Sequence, residues 1–377
     1  MRNCVLLYLV NDLEFFISHR LPIAVAARNI GYKVHIVSAS SKFAYKVTDL
    51  GFTHHIVSLE RSGQNIFHEL KTLRQLHRVF RTVKPSIVHL ITIKPVIYGG
   101  IIARITGVNN VVSAVSGLGT VFVGHNLFSR FRKFIIVSLY KSAFKSKNLA
   151  VIFQNPDDRD TLLTTGALNS SQVRMIRGSG VDLQDYPYTE EIEKGAVVVM
   201  AARLLRDKGV FEFVEAARQI KARNVNVTFR LIGSPDFGNL TSVTENDLDF
   251  WLREGLVELL GYRTDIAKQY TAANIVCLPS YREGLPKGLI EAAACSRAVI
   301  TTDVPGCRDA ITPNVTGLLV PPKNVEALAN AIELLITNPK QRLAMGIAGR
   351  KLAEEAFTIE HVVDQHLEIY KELLSCD

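Results

Sequence analysis

Apolar residues along the chain follow two different periods. Short runs rich in Val, Ile and Leu are bounded by Gly, Pro, Asn and Asp, and longer stretches with apolar residues every three or four positions lie between them. The short runs are typical of buried β-strands, and the longer spacing is typical of amphipathic helices. The pattern predicts strands over residues 5–10, 33–39, 54–59, 87–92, 111–115, 150–154, 173–176, 197–202, 227–232, 257–260, 275–279, 298–302 and 317–320.

Strands that are apolar throughout and alternate with helices favour a parallel sheet covered on both faces. The alternation is interrupted at residues 182–194, where Tyr186-Pro187 and several acidic residues indicate a linker. We therefore predict an α/β protein of two doubly wound, Rossmann-like domains facing a cleft, at 1–182 and 190–356. A further helix is expected within 357–377, and the sequence leaves its partner surface open. Ligands usually bind such domains at the carboxyl ends of the strands.

Composition narrows the class of protein. Of 377 residues 47% are hydrophobic, and no apolar run approaches the ~20 residues of a membrane-spanning helix. The first apolar run meets Asp12 and Glu14 too soon for a signal peptide. The five cysteines form no CxxC pair, so we expect free thiols in a reducing cytoplasm, without disulfides or a zinc site.

Charge is distributed unevenly. Residues 1–180 contain 23 Lys and Arg against 8 Asp and Glu, whereas the remainder contains 21 against 28. The first half therefore carries a formal charge of +15 and the second half −7. Such asymmetry indicates that the first half faces an anionic partner, either nucleic acid, an acidic membrane surface or a phosphorylated substrate.

Residues 127–147 are predicted to form a basic amphipathic helix without any acidic residue. A helix of this kind is typical of attachment to anionic lipid, and the alternative is a core helix with a basic solvent face. Nucleic acid is a weaker partner, because the chain shows no recognised binding module and no aromatic stacking platform. The candidate membrane residues are Arg130, Arg132, Lys133, Lys141 and Lys145.

Two segments of the second half carry candidate chemistry. After the strand at 275–279, a loop with Glu283-Gly284 leads through Pro286 into a helix that contains Glu291. Exposed amides at a helix start bind anions, and two carboxylates nearby can accept hydrogen bonds from sugar and ribose hydroxyls. After the strand at 197–202, Arg203 and Lys208 could neutralise a leaving diphosphate. The alternatives are solvated carboxylates and a solvated basic loop.

Together, Arg203, Lys208, Glu283 and Glu291 closely resemble the motif of the family 4 retaining glycosyltransferases, which have the two-domain GT-B fold. The resemblance extends over essentially the whole chain. Further matching segments are Gly178-Ser179-Gly180-Val181-Asp182, Leu260-Gly261-Tyr262, Asp303-Val304-Pro305-Gly306, Asn314 with Gly317-Leu318, and the closing segment from Phe357 to Tyr370.

The resemblance implies that the second domain holds the nucleotide sugar. Arg203 and Lys208 would bind the diphosphate and stabilise its charge, Glu291 the ribose, and Glu283 the transferred sugar as a catalytic residue. The implied donor-binding set is Arg203, Lys208, Tyr262, Arg263, Glu283, Gly284, Leu285, Pro286 and Glu291, with Tyr262 and Arg263 beside the base. No metal or other cofactor is implied, because Arg and Lys take the place of a cation.

The first domain is the acceptor side in this family. Ser18-His19-Arg20-Leu21-Pro22 is similar to a helix start in members that build bacterial polysaccharide repeats on a lipid pyrophosphate. The implied acceptor-binding residues are His19, Arg20, Lys94, Ser116 and Gly117. Many members carry His where Ser116 or Gly117 falls, so no catalytic side chain is assigned in this domain.

These features predict a retaining hexosyltransferase at the inner face of the cell membrane. The expected donor is a UDP-sugar, with an N-acetylhexosamine favoured, and the expected acceptor is a polyprenyl-pyrophosphate-linked saccharide of bacterial O-antigen, capsule or related glycan assembly. A metal-free UDP-sugar epimerase of the same fold is the alternative. A nicotinamide-dependent dehydrogenase is disfavoured because no glycine lies between Asn11 and Ser18.

Overall fold

The computed structural model describes residues 4–59, 66–118, 127–191, 195–236 and 238–375, with the side chains of residues 127–130 excepted. The chain divides into two compact units. The first unit comprises residues 1–179 together with 360–377, and the second comprises residues 180–359. Each unit is described by itself below.

The described part of the first unit contains one parallel sheet of seven strands. These strands are β1 Val5–Val10, β2 Lys33–Ser38, β3 Thr53–Ile56, β4 Ile87–Ile91, β5 Asn110–Val115, β6 Asn148–Phe153 and β7 Val173–Met175. Their spatial order is β3-β2-β1-β4-β5-β6-β7. The connecting helices are α1 Leu13–His19, α2 Leu21–Asn29, α3 Tyr45–Thr48, α4 Ile66–Val83, α5 Ile93–Thr106, α6 Leu127–Ala143 and α7 Pro156–Thr164.

The second unit repeats this plan with six parallel strands in its described residues, in the order β10-β9-β8-β11-β12-β13. The strands are β8 Val197–Ala201, β9 Thr228–Ile232, β10 Glu258–Gly261, β11 Ile275–Leu278, β12 Ala298–Thr302 and β13 Gly317–Val320. The helices are α8 Val210–Ala222, α9 Glu245–Glu254, α10 Ile266–Thr271, α11 Lys287–Ala294, α12 Val325–Thr337 and α13 Pro339–Ala356. A short 3₁₀ turn, Arg206–Lys208, follows β8.

All thirteen strands predicted from the apolar runs are present. Their ends are displaced by at most two residues, except that β3 ends at Ile56, three residues before the predicted end. Side chains of the central strands β4, β5, β11 and β12 are buried on both faces because helices cover each sheet, as the continuous runs predicted. The edge strands β3, β7 and β10 are partly exposed. Asp247-Leu248-Asp249 has the spacing of a DxD metal-binding motif, and it lies in helix α9. There Asp247 caps the helix start by accepting a hydrogen bond from the backbone of Thr244 at 2.9 Å. This acidic pair is therefore part of a capped helix.

The last helix, α14 Ile359–Ser375, packs on the first unit. Its buried residues Val362, Ile369 and Tyr370 join the apolar cluster that contains Leu6 and Tyr8 of β1. The sequence did not predict which surface α14 packs on, because an amphipathic pattern identifies the buried face of a helix but not the element that covers it.

In each sheet the first three strands are added towards one edge, and the later strands are added on the other side of the first strand. The strand order therefore changes direction between β1 and β4 and between β8 and β11. Loops that follow such neighbouring strands leave the same sheet edge on opposite faces, which opens a crevice. Lys208 follows β8 and Glu283 follows β11. The fold of the second unit therefore places these two predicted residues at its switch point.

Candidate active site

Lys208 and Glu283 form a close ion pair in the second unit. Nζ of Lys208 lies 2.5 Å from Oε1 of Glu283, and the hydroxyl of Ser280 donates to the same oxygen at 2.6 Å. Both side chains of the pair are largely shielded, with 22% of Lys208 and 12% of Glu283 exposed. Partial burial strengthens this charge-assisted contact relative to a surface pair.

Two glycines let the loops that carry this pair approach each other. Gly209 has φ +76°, and a Cβ there would lie 2.2 Å from the carbonyl oxygen of Pro279. Gly306 has φ +81°, and a Cβ there would lie 2.4 Å from the carbonyl oxygen of Glu283. Only glycine fits both the left-handed backbone and the close approach at these positions. Their backbones therefore fix where Lys208 and Glu283 lie.

Neutral groups surround the ion pair. The hydroxyl of Thr302 donates to the carbonyl of Ser280, and Ser280 is fully buried. Burial raises the pKa of the Cys307 thiol to about 12, and the negative charge of Glu283 adds to the increase. Cys307 is therefore a protonated thiol at neutral pH.

Helix α11 starts at Lys287, four residues after Glu283, with Pro286 at its N-cap position. Its first amides and positive dipole end are therefore close in sequence to the Glu283-Gly284 loop. Leu285 is 7% exposed and belongs to the core of the unit. The predicted loop and helix start are present.

Glu291 lies inside α11 and is 8% exposed. Its Oε1 accepts a hydrogen bond from the hydroxyl of Tyr186 at 2.7 Å and lies 3.4 Å from Nζ of Lys287. Burial and the nearby Glu291 charge raise the pKa of Tyr186, so this phenol remains a donor. Glu291 is therefore a buried carboxylate that accepts a hydrogen bond from Tyr186, rather than a solvated one.

Arg203, Tyr262 and Arg263 are more exposed. The guanidinium of Arg203 is 50% exposed and lies 2.9 Å from Oδ2 of Asp236. Tyr262 is 74% exposed. Arg263 makes two hydrogen bonds to Asp265, at 2.8 and 2.7 Å. The described contacts thus join Lys208 to Glu283 directly, whereas Arg203 and Arg263 each pair with a nearby aspartate.

In the first unit the structure brings Arg20 and Ser116 together. Arg20 is 1% exposed, donates to the carbonyl of His19 at 3.0 Å, and lies 3.5 Å from the hydroxyl of Ser116. His19 is half-buried and stacks on Phe15. Gly117 follows Ser116 with φ +114°.

Lys94, at the start of α5, has a different partner from the other predicted acceptor residues. Its Nζ lies 2.7 Å from Glu69 of α4, and Glu69 also accepts a hydrogen bond from the hydroxyl of Tyr98. The ion pair with Glu69 therefore connects Lys94 to helix α4.

Helix α6 presents apolar and basic side chains to solvent. Phe131 is 64% exposed and Phe134 is 69% exposed, while Arg132 and Lys141 are also exposed. Lys133 is half-buried and Lys145, just beyond the helix, is exposed. The side chain of Arg130 lies outside the described residues. No helix in the described ranges is long and apolar enough to cross a bilayer.

Two family models match the chain. The model described as Glycosyl transferase 4-like matches residues 5–155, and the model described as Glycosyl transferases group 1 matches residues 186–352. The chain belongs to the glycosyltransferases that these two models together describe. The predicted hexosyltransferase activity is thereby confirmed as a class.

Several bacterial relatives align over most of their length. The N,N'-diacetylbacillosaminyl-diphospho-undecaprenol alpha-1,3-N-acetylgalactosaminyltransferase of Campylobacter jejuni is 28% identical over 94% of this chain and 95% of its own. The capsular polysaccharide biosynthesis glycosyltransferase CapM of Staphylococcus aureus is 28% identical over 90% of each chain. An Escherichia coli UDP-Gal:alpha-D-GlcNAc-diphosphoundecaprenol alpha-1,3-galactosyltransferase is 25% identical over 82% of this chain and 81% of its own.

Solved structures establish the fold. HepE of Anabaena, solved with UDP and glucose, superposes with a TM-score of 0.79 at 19% identity over 97% of this chain and 99% of its own. Sucrose-phosphate synthase of Thermosynechococcus elongatus gives 0.80 at 19% identity over the full length of both chains. The predicted GT-B fold of two Rossmann-like domains is confirmed.

Some residues of this glycosyltransferase that contact the predicted site are not singled out by the sequence pattern. Tyr186 lies in the predicted linker, and its hydroxyl donates a hydrogen bond to Glu291. The hydroxyl of Ser280 donates a hydrogen bond to Glu283, and Asp236 accepts one from Arg203. The sequence could have indicated Ser280 as a site residue, because Ser280 lies at the end of an apolar strand and three residues before Glu283. No local signal connects Tyr186 to a residue 105 positions away.

Proposed function

We propose that this glycosyltransferase moves a sugar from a UDP-sugar to a polyprenyl-diphosphate-linked saccharide with retention of configuration. The proposal rests above all on the contact between Lys208 and Glu283, at 2.5 Å. A cation and a carboxylate held side by side offer one group for the leaving diphosphate and another for the hydroxyls of the transferred sugar.

The donor side of the proposal assigns distinct tasks to the second unit. Lys208 and Arg203 bind the diphosphate, and Glu283 binds the sugar together with the backbone amides of Gly284 and Leu285. Glu291, oriented by Tyr186, accepts hydrogen bonds from the ribose. Tyr262 and Arg263 would lie beside the base. Pro286 is the N-cap of α11, whose first amides would bind the anion.

The choice of donor and acceptor is supported by the relatives. The Campylobacter and Escherichia coli proteins both act, by name, on diphospho-undecaprenol-linked sugars, and the former transfers N-acetylgalactosamine. HepE has been solved with UDP. We therefore favour UDP-N-acetylgalactosamine as the donor, with UDP-galactose second because the Escherichia coli relative uses it.

Transfer with retention is supported by the linkages in the same names. Both relatives form alpha-1,3 bonds. An α-linked nucleotide sugar that gives an α-linked product keeps its configuration. The relatives reported above are transferases, which favours transfer over the epimerase alternative.

The acceptor side is proposed to be the first unit, at the inner face of the cell membrane. His19, Lys94, Ser116 and Gly117 would meet the acceptor near its diphosphate, with Arg20 beneath them. Helix α6 would dock on anionic lipid, because exposed phenylalanines and exposed cations lie along it. The excess positive charge of residues 1–180 favours the same partner.

A donor panel tests this function. Purified enzyme is incubated with UDP- and GDP-sugars and a short lipid diphosphate carrying one N-acetylhexosamine, with Lys208→Ala as the inactive control. We expect transfer from a UDP-sugar only, and an α-anomeric coupling in the NMR spectrum of the product. Transfer from GDP-sugars alone, a β-linked product, or conversion of UDP-sugar into its epimer without acceptor would each contradict the proposal.

A further inference from the structure

Helix α4 of the first unit carries an exposed ridge of three arginines. Arg74, Arg78 and Arg81 follow one another at spacings of four and three residues, so they lie on one side of the helix, and all three are exposed. No carboxylate among the described residues pairs with any of them. Like charges at this spacing destabilise an isolated helix, so the ridge opposes the stability of α4.

The surroundings of the ridge are also basic. Residues 66–118 contain seven Lys and Arg but a single acidic residue, Glu69. Both carboxylate oxygens of Glu69 already accept hydrogen bonds, one from Lys94 and the other from Tyr98. This part of the surface therefore presents a concentrated positive charge that described side chains do not neutralise.

The arginine ridge borders an open groove between α4 and α5. The groove has a volume of about 580 Å³, and all three arginines line it. Leu73 of α4 and Ile102 of α5 line it as well, and Ile102 is 4% exposed. The volume lies within the range of small-ligand sites. The groove therefore combines apolar walls with guanidinium groups, which match the oxygens of a phosphate in geometry and charge.

The first turn of α4 exposes apolar side chains beside this groove. Ile66 is 72% exposed, Phe67 is 81% exposed and Leu70 is 44% exposed. Single apolar residues are common on protein surfaces, but three neighbours form a patch of the kind found at interaction sites. Along one helix, an apolar turn is thus followed by three turns that carry cations.

Helices α4, α5 and α6 lie side by side on one face of the sheet. Helix α5 packs against both of the others, and residues of all three join the same apolar cluster. Helices α4 and α6 follow β3 and β5, so both begin at the carboxyl edge of the parallel sheet. The exposed Phe131 and Phe134 of α6 are therefore on the same side of the unit as the start of α4.

We propose that the groove between α4 and α5 binds the phosphate of an anionic phospholipid, while Ile66 and Phe67 enter the boundary of its acyl chains. The inference deepens the membrane contact of the proposed function and rests on it. It adds a lipid site on a helix that the charge pattern of residues 127–147 does not include. Arg74, Arg78 and Arg81 are the residues that recognise the phosphate.

A bilayer is the partner that satisfies both parts of this surface. It offers phosphates to the arginines and, a few ångströms deeper, an apolar layer to the first turn of the helix. Nucleic acid also offers phosphates, but it has no apolar layer for Ile66 and Phe67. An acidic bilayer would also relieve the repulsion among the three arginines.

Vesicle flotation with the full-length protein measures the contact. The test variant combines Arg74→Gln, Arg78→Gln and Arg81→Gln, because glutamine removes the charges and still favours a helix. We expect its partition into vesicles of phosphatidylcholine and phosphatidylglycerol to fall about 100-fold, since each cation near an anionic surface contributes about fivefold. Vesicles of phosphatidylcholine alone should bind wild type and the variant equally weakly.

A matched control removes the same charge from the second unit. It changes three exposed lysines to glutamine, namely Lys268, Lys340 and Lys351. This control should partition like wild type. Equal losses in the two variants would show that only net charge matters and would overturn the inference.

A second measurement leaves the arginines in place and tests insertion of the first turn. Phe67→Trp adds a reporter to a chain whose one tryptophan, Trp251, is 4% exposed in the second unit. Vesicles with brominated acyl chains should quench the emission of this variant and leave that of wild type nearly unchanged. This arm also provides the test if the arginine variant does not fold.

The inference is overturned if the arginine variant partitions like wild type, or if brominated chains do not quench the new tryptophan. Retained vesicle binding together with lost binding of single-stranded RNA would assign the ridge to nucleic acid instead. The outcome for the proposed function is separate. A protein that docks as expected but transfers no sugar from any UDP donor would refute the proposed function and leave this inference intact.

Discussion

The ammonium of Lys208 and the hydroxyl of Ser280 bind the same oxygen of Glu283, at 2.5 and 2.6 Å. Both described hydrogen bonds to this carboxylate therefore go to Oε1, and Oε2 remains available for a sugar hydroxyl. A donor diphosphate would compete with Glu283 for Lys208 as it binds. The ion pair then orders both side chains before the donor arrives, which lowers the entropic cost of assembling the site.

Lys208→Ala should lower kcat by about 10²–10³, because a fixed charge that stabilises a leaving group contributes that much. Initial rates at saturating donor measure the effect. Lys268→Ala removes an exposed lysine from the same unit and should leave kcat unchanged. A near-normal kcat for Lys208→Ala, with unchanged UDP affinity, would show that Lys208 has no such role.

Glu291→Gln should raise the KM for the UDP-sugar about tenfold or more with a smaller change in kcat, since the proposed acceptor of ribose hydrogen bonds loses its charge. Tyr186→Phe should act in the same direction more weakly, because it only releases the Glu291 carboxylate. Tyr188→Phe alters an exposed ring two residues away and serves as its control. Equal kinetics for Tyr186→Phe and Tyr188→Phe would remove Tyr186 from the site.

Gly306→Ala should lower kcat/KM about 10²-fold, because the new methyl group would displace the backbone of Glu283, and displacements of about 1 Å at an active site have effects of this size. Gly255→Ala is the matched control. Gly255 also has a positive φ, +59°, but nothing lies within 4 Å of a Cβ placed there. The control should lose some stability and keep its activity. Similar activity losses in the two variants would indicate backbone strain alone.

Transfer should survive EDTA, because the resemblance assigns the diphosphate to Arg203 and Lys208 without a metal. Activity is measured after dialysis against EDTA, with magnesium-saturated EDTA as the control for ionic effects. Loss of transfer on chelation and its return with manganese or magnesium would show that a metal takes part.

Changing Arg130, Arg132, Lys133 and Lys141 to Glu should release the enzyme from anionic liposomes and slow transfer to a long-chain acceptor. Each Lys or Arg near an anionic surface contributes about 1 kcal/mol, and this attraction weakens as salt screens charges over ~8 Å. Sedimentation with neutral and anionic vesicles at two salt concentrations measures it.

A control for that experiment changes Lys221, Lys268, Lys340 and Lys351 of the second unit to Glu, which alters net charge equally. It should keep vesicle binding. Transfer to a short soluble acceptor should be spared in both variants. Equal binding of wild type to neutral and anionic vesicles, or equal loss of transfer on both acceptors, would leave α6 as an ordinary core helix.

Much of the fold was determined by local pattern. Apolar runs long enough for one strand, separated by amphipathic stretches, predicted thirteen strands and the structure contains them all. The position of Glu283 after β11 and of Lys208 after β8 also followed from sequence, because a strand end and its next loop are adjacent in the chain. These features depend on residues only a few positions apart, and a linear sequence records them directly.

Tertiary structure alone decided which distant residues meet. Lys208 and Glu283 are 75 positions apart, Tyr186 and Glu291 are 105 apart, and Tyr8 and Tyr370 are 362 apart. It also buried Arg20 while leaving the adjacent His19 half-exposed. Such outcomes depend on the order of strands in each sheet and on where a helix returns, and both are set by the packing of the whole unit rather than by any local period.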